Sequence, residues 1–473
     1  MKPISKSIEI IQGGMGVGVS NWCLAKAVAK LGQLGVVSGT GLETILIRRL
    51  QIGDQDGSVR RALSHFPWPE MAQNILNKYF ISGGKPQEQP FLRAAMPVID
   101  TKPESIQLTV ISNFVEVFLA KEGHDGHVGI NYLEKIQLPT MASLLGAMLA
   151  GVNFILMGGG IPIAIPGLLD GLANWEPVEL RINVADDNGK TFTQTFDPAS
   201  IFPGQCPPLE RPHFLAIISS DIVAHSMIRR ASGYVDGFVV ENFTAGGHNA
   251  SPRRVKNVVD ADRQQYTDKD VPNIEKIRKL GRPFWIAGGY ASPEKLREAQ
   301  AQGAHGVQVG TAFCYCQESG ILNSIKREVI DSYQNGTLQT VTDFQASPTG
   351  YPFKLIYLAN SSRTPQHQRD RVRYCDLGYL RQVYCDANGN PAYRCPAETV
   401  EHYIKKGGEI EKTQGKQCLC NGLLSTIGLG QIRPEGEELP IITAGEDFSF
   451  LDHFVTADKH EYSAEDVVKY LKG

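Results

Sequence analysis

What the chain lacks narrows its role first. There is no basic surplus: 47 Lys and Arg stand against 50 Asp and Glu in 473 residues, a net charge of -3. That leaves no electrostatic footprint for nucleic acid or an anionic membrane. No apolar run reaches the roughly 18–20 uncharged residues a membrane span needs. The opening MKPISKSIEI lacks the apolar core of a signal peptide. A cytoplasmic protein acting on a small molecule is therefore expected. The nine cysteines are odd in number and contain no paired C-x2-C knuckle, so no disulfide framework is indicated. Cys23, Cys206, Cys314 and Cys316 read as reduced thiols packed as small hydrophobes.

What is present is a rhythm. Eight β-rich runs recur: IEIIQ (8–12), LGVVS (34–38), HVGIN (127–131), NFILM (153–157), FLAIIS (214–219), VDGFVV (235–240), FWIAG (284–288) and GVQVG (306–310). Their apolarity is continuous rather than alternating, as in strands buried on both faces of a parallel sheet. NWCLAKAVAKLG (21–32) and SPEKLREAQAQG (292–303) read as helices that stop at glycine. Eight such units predict an α/β fold, a (β/α)8 TIM-type barrel over 1–320. Rim insertions are expected near 41–100 and 170–212, the second holding a hairpin that turns at Asn188-Gly189. Residues 321–473 are expected to be a cysteine-bearing extension packed on the barrel, irregular apart from IKREVIDSYQ (325–334).

Barrel chemistry lies at the carboxyl ends of the strands. Strand one runs into Gln12-Gly13-Gly14-Met15-Gly16-Val17-Gly18, a stretch of backbone that can press against a flat ligand. Strands seven and eight end in Gly288-Gly289 and Gly310-Thr311, each opening a helix, and adjacent N–H clusters of this kind form an anion site. Strand six ends in Glu241 and then Ala245-Gly246-Gly247-His248-Asn249. A histidine on a glycine-flanked loop can approach a ligand, and an ordinary pKa near 6.5 suits proton abstraction. The competing reading is a loop histidine bonding a backbone carbonyl.

IIQGGMGVGVS, VGIN, AGGHNA, AGGYASPEKLREAQAQGAHGVQVGTAF and SPTGYPFKL (347–355) together resemble the flavin mononucleotide (FMN)-dependent nitronate monooxygenases, formerly 2-nitropropane dioxygenases, over about residues 5–355. The resemblance implies an FMN-containing barrel in which Gln12, Gly14 and Met15 border the flavin. Asn131 and Glu241 would bond it beside Gly246 and Gly247, while Gly288, Gly289, Gly310 and Thr311 would hold its phosphate. His248 matches the family's catalytic base. The implied reaction takes an alkyl nitronate and dioxygen to a carbonyl compound and nitrite, with no metal. Glu241 departs from the family pattern, and an anion there would disfavour a reduced flavin unless protonated, paired or turned away. Flavin-type enoyl-thioester reductases using NAD(P)H are the alternative enzyme, and a non-catalytic flavin-binding scaffold the non-enzymatic one. In the tail, Cys375, Cys395, Cys418 and Cys420 are read as buried free thiols, with a structural zinc as the alternative. HDGH (124–127) is expected to shape the active-site wall. A homo-oligomer is compatible with all of this.

Overall fold

Each of the eight apolar runs forms one parallel strand. In the computed structural model, which describes residues 3–187, 189–204, 206–253, 266–358, 371–456 and 459–473, they are β1 (Ile10–Gln12), β2 (Gly35–Ser38), β3 (Val128–Leu133), β4 (Phe154–Gly158), β5 (His213–Ile218), β6 (Gly237–Glu241), β7 (Phe284–Ala287) and β8 (Gly306–Val309). Their order is β1-β8-β7-β6-β5-β4-β3-β2. A parallel bridge between Ile11 and Leu34 closes the ring, with the Gln12 N–H donating to the Leu34 carbonyl at 3.0 Å. The chain is a TIM-type barrel.

Two apolar clusters follow from the strand pleat. Ile11, Val36, Leu156, Leu215, Val239 and Trp285 fill the interior. Neighbours one residue away, such as Ile10, Val37 and Phe238, face the helices instead. Trp285 is fully buried, and its indole N–H donates to the Ile8 carbonyl at 2.9 Å, so the largest interior side chain leaves no polar group unmet.

Every strand is followed by at least one helix: α1 (Trp22–Lys30), then α2 (Leu42–Gln51) and α3 (Pro103–Lys121) after β2, α4 (Thr140–Leu149), α5 (Ile165–Ala173), α6 (Asp221–Arg230), α7 (Ile274–Arg278), α8 (Pro293–Ala301) and α9 (Thr311–Cys314). Side-chain caps set several starts. Asn21 accepts from the Leu24 N–H at 2.9 Å, and Ser292 accepts from the Lys295 N–H with Pro293 at the first helical position. Among the described residues no helix is long and apolar enough to cross a membrane.

The insertions carry more structure than their composition suggests. Residues 41–100 contain α2 and two further helices, Ser58–Leu63 and Pro69–Tyr79. Residues 170–212 hold an antiparallel hairpin, Val178–Ile182 against Phe192–Phe196. Its turn is at the expected place: Asp187 accepts from the N–H of Gly189, whose φ is +81°. Asn188 lies outside the described residues. Val184–Ala185 leaves the hairpin to pair with Gln382–Cys385 of the extension.

The extension corrects the expectation of irregularity. It contributes an antiparallel pair (Gln339–Asp343 with Phe353–Tyr357), a second pair (Gln382–Cys385 with Pro391–Arg394) and helices including Leu419–Thr426 and Ala464–Lys472. Its apolar residues come in short clusters such as Leu423-Leu424, Ile441-Ile442 and Val467-Val468, too brief and irregularly spaced for a periodicity reading. Leu424, Ile441, Phe450 and Val467 join the same buried cluster as the barrel's helix layer, and the Tyr462 hydroxyl donates to the Ala312 carbonyl at 2.8 Å.

Candidate active site

The strand ends surround a cavity of about 270 Å³, close to the lower end of the roughly 300–1,000 Å³ typical of ligand sites. Gly14, Met15, Asn131, Glu241, Gly246, Gly247, His248, Gly288, Gly289, Gly310 and Thr311 all line it. Gln12 does not. Its amide is consumed inside the barrel wall, where Nε2 donates to Ser20 Oγ at 2.8 Å and Oε1 accepts from the Val36 N–H at 2.9 Å. Gln12 ties the first glycine loop to β2 rather than facing a ligand.

That loop is held down on β3. Asn131 Nδ2 donates to the Gly14 carbonyl at 2.9 Å, and a Cβ on Gly14 would lie 2.3 Å from the Asn131 Cβ. Only glycine lets the two backbones approach so closely. Among the described residues the other amide atom, Asn131 Oδ1, is buried without a partner, as are Thr244 Oγ1 and Gln308 Oε1 on the same cavity wall. Buried polar atoms are nearly always met by a partner. Three orphans around one cavity fit a polar, hydrogen-bonding ligand.

Glu241 ends β6 opposite Ala287 of β7, which puts it beside Gly288. Burial pushes its carboxyl up to about 8. Of the three expected outcomes for this residue, the protonated form is the one its surroundings favour near neutrality. The strand end at Gly288 (φ +95°) leaves no room for a side chain, since a Cβ there would stand 2.8 Å from Thr244 Oγ1.

His248 is fixed from the extension. Its backbone bridges Phe353, the Lys354 N–H donates to the Gly247 carbonyl at 3.0 Å, and its ring lies 4.7 Å from the Phe353 ring. Nε2 meets Ser347 Oγ at 2.8 Å, so the expected alternative, a bond to a backbone carbonyl, does not hold for that nitrogen. Burial lowers the imidazole to about 4, keeping the ring neutral.

A second contribution of the extension escaped the sequence reading: the strap Thr443–Asp447. Gly247 donates its N–H to Thr443 Oγ1 at 3.0 Å, and Gly445 donates to Thr311 Oγ1 at 2.9 Å. A Cβ on Gly246 would sit 2.7 Å from the Ala444 carbonyl carbon. The ion pair of buried Lys354 with Glu446, at 2.7 Å, pins the far end. Small residues in PIITAGEDF were the available signal, readable only once a partner for AGGH was sought.

HDGH is a further correction. It precedes β3 and so lies at the amino end of the strand, away from the cavity. His124 bonds the Ala120 carbonyl at 2.7 Å and accepts from the Gly126 N–H at 3.1 Å. All nine cysteines are free. Cys375, Cys395, Cys418 and Cys420 border one small void of about 10 Å³. Among the described residues no three His, Cys, Asp or Glu side chains are placed to hold a metal ion.

Residues 208–350, which span β5 to β8 and the His248 loop, match the sequence model of the family described as nitronate monooxygenase. The matched segment makes up about 30% of the chain. A probable nitronate monooxygenase of Staphylococcus haemolyticus (strain JCSC1435) is 28% identical over 128 residues, 27% of this chain and 34% of that relative. The match thus spans about a third of the relative's length. Similar solved structures include FabK from Thermotoga maritima, with 16% identity, 98% of this chain and 93% of that chain covered, and a TM-score of 0.48. Nitroalkane oxidase from Streptomyces ansochromogenes is another, with 13% identity, 98% and 94% coverage and a TM-score of 0.47. The barrel assignment rests on the chain's own strand order. The segment that matches the nitronate monooxygenase model supplies six of the expected cavity residues from Glu241 to Gly289, including His248, as well as Gly310 and Thr311. The first glycine loop and Asn131 lie outside it.

Proposed function

We propose that the chain is an FMN-dependent oxidoreductase that converts alkyl nitronates and dioxygen to carbonyl compounds and nitrite. One observation carries the reading. A neutral histidine shares a cavity with two glycine strand ends in the barrel's phosphate-binding position and with three orphaned polar side chains. Asn131 Oδ1, Thr244 Oγ1 and Gln308 Oε1 are suited to the polar edge of a flavin ring, Met15 to its face, and Gly288, Gly289, Gly310 and Thr311 to its phosphate. FMN, when bound, supplies the electron acceptor.

The protein's own residues do the rest. Ser347 Oγ accepts from the Thr349 N–H and is 2.8 Å from Thr349 Oγ1. In the tautomer this reading takes, Ser347 gives its own hydrogen to Thr349 and His248 Nε2–H donates to Ser347. This leaves His248 Nδ1 as the atom that takes the α-proton of a neutral nitroalkane. A protonated Glu241 adds no anion next to the ring. Phe353, Leu423 and Leu424 keep the cavity wall apolar and water-poor.

His248→Ala tests the base. Activity on neutral nitroalkane is expected to fall about 10²–10⁴-fold, the usual worth of a general base, while activity on preformed nitronate changes little. Equal losses on both substrates would remove the assignment.

A further inference from the structure

The insertions after β2 and β4 meet at a second chamber of about 50 Å³, walled mainly by Met96, Pro97, Leu138, Met141, Ala142 and Phe196. Tyr379 of the extension borders both this chamber and the main cavity. Among the described residues it is the one side chain common to both linings. Its hydroxyl donates to Glu43 Oε2 at 3.0 Å and stands 3.0 Å from Thr44 Oγ1.

The polar groups here exceed what a packing void requires. Glu43 is buried, accepts from Thr109 Oγ1 at 2.8 Å, and has its carboxyl pushed up by that burial. Gln194, on the hairpin, is only 8% exposed. Its Nε2 donates to the Ile99 carbonyl at 3.0 Å, but its Oε1, buried in a residue of the chamber wall, has no partner among the described residues. A buried amide oxygen without a donor calls for one from a ligand or a water.

We propose that this chamber is a tail subsite of the main cavity. It takes an aliphatic arm of the substrate tipped by a hydroxyl or amide N–H, with Gln194 Oε1 receiving that donor and Tyr379 turning aside to admit the arm. The walls supply apolar contact along the arm, and the insertions therefore select the substrate. The reacting head of the substrate rests on the nitronate reading; the tail does not.

The experiment compares kcat/KM for nitronates of increasing chain length, with and without a terminal hydroxyl, in wild type, Ala142→Leu and Gln194→Leu. Thermal stabilisation by the matching unreactive alkanoates and ω-hydroxyalkanoates is read in parallel. Wild type is expected to gain about tenfold from the longer arm, the worth of well-packed methylenes. Ala142→Leu fills the chamber and should abolish that gain while leaving the shortest substrate unchanged. Gln194→Leu should erase the preference for the hydroxyl and keep the preference for length. If no nitronate is turned over, the oxidation reading fails, and the stabilisation series still decides the subsite. A chain-length profile identical in wild type and Ala142→Leu, by either readout, overturns the proposal and leaves the chamber to water.

Discussion

Glu241 and His248 sit in one cavity with their pKa values moved in opposite directions, by the same cause. Burial disfavours whichever form is charged, so the carboxyl keeps its proton and the imidazole loses its own. The signs of the two stability effects differ. Glu241 has a folded-state value near 8 and an unfolded value near 4.5. Between those limits the folded state binds more protons, and stability falls as pH rises. His248 is lowered from 6.5 to about 4, so across that window the unfolded state binds more protons and stability falls as pH drops. Glu241→Gln removes the first effect alone. Melting curves in a buffer series should show the wild type losing ground to Glu241→Gln as pH rises from about 5 to 8, and a constant gap would show that the carboxyl ionises freely. His248 and the glycines around it were legible in the sequence because bare backbone at a strand end has few structural excuses. Gln12 was misplaced because a side chain's direction at the last residue of a strand depends on the pleat, which sequence does not show.

At the scale of elements, the glycine strand ends do the shaping. Gly288 has φ +95°, and any side chain there meets Thr244 and Asn242. Gly288→Ala therefore carries both backbone strain, of roughly 1 kcal/mol or more, and a collision inside the proposed flavin site. It is expected to fold and to lose bound flavin on gel filtration, while retention equal to wild type would show that this strand end does not touch the cofactor. The eight strands were readable as continuous apolar runs because both faces of a barrel strand are buried. The strap Thr443–Asp447 was not, because it has no periodicity of its own. Its place follows from complementary contacts with Gly246, Gly247 and Thr311, residues roughly 130–200 positions away in the chain.

At the scale of the whole molecule, the extension is part of the cavity as well as of the core. Phe353, Tyr379, Leu423 and the strap line the site, and one buried cluster runs from the barrel's helices into Phe450, Tyr462 and Leu471. A shared core predicts one cooperative unfolding transition by calorimetry, whereas two well-separated transitions would mean that barrel and extension fold independently. The tail's role was illegible beforehand because its strands are short and mixed in polarity, and gain their apolar partners only on contact with the barrel.

The central claim is that the cavity oxidises nitronates with a bound flavin. Flavin-loaded protein mixed anaerobically with an alkyl nitronate should lose its flavin absorbance, while the same protein mixed with NADPH should not. Rapid bleaching by NADPH with none by nitronate would contradict the account and make the chain a reductase.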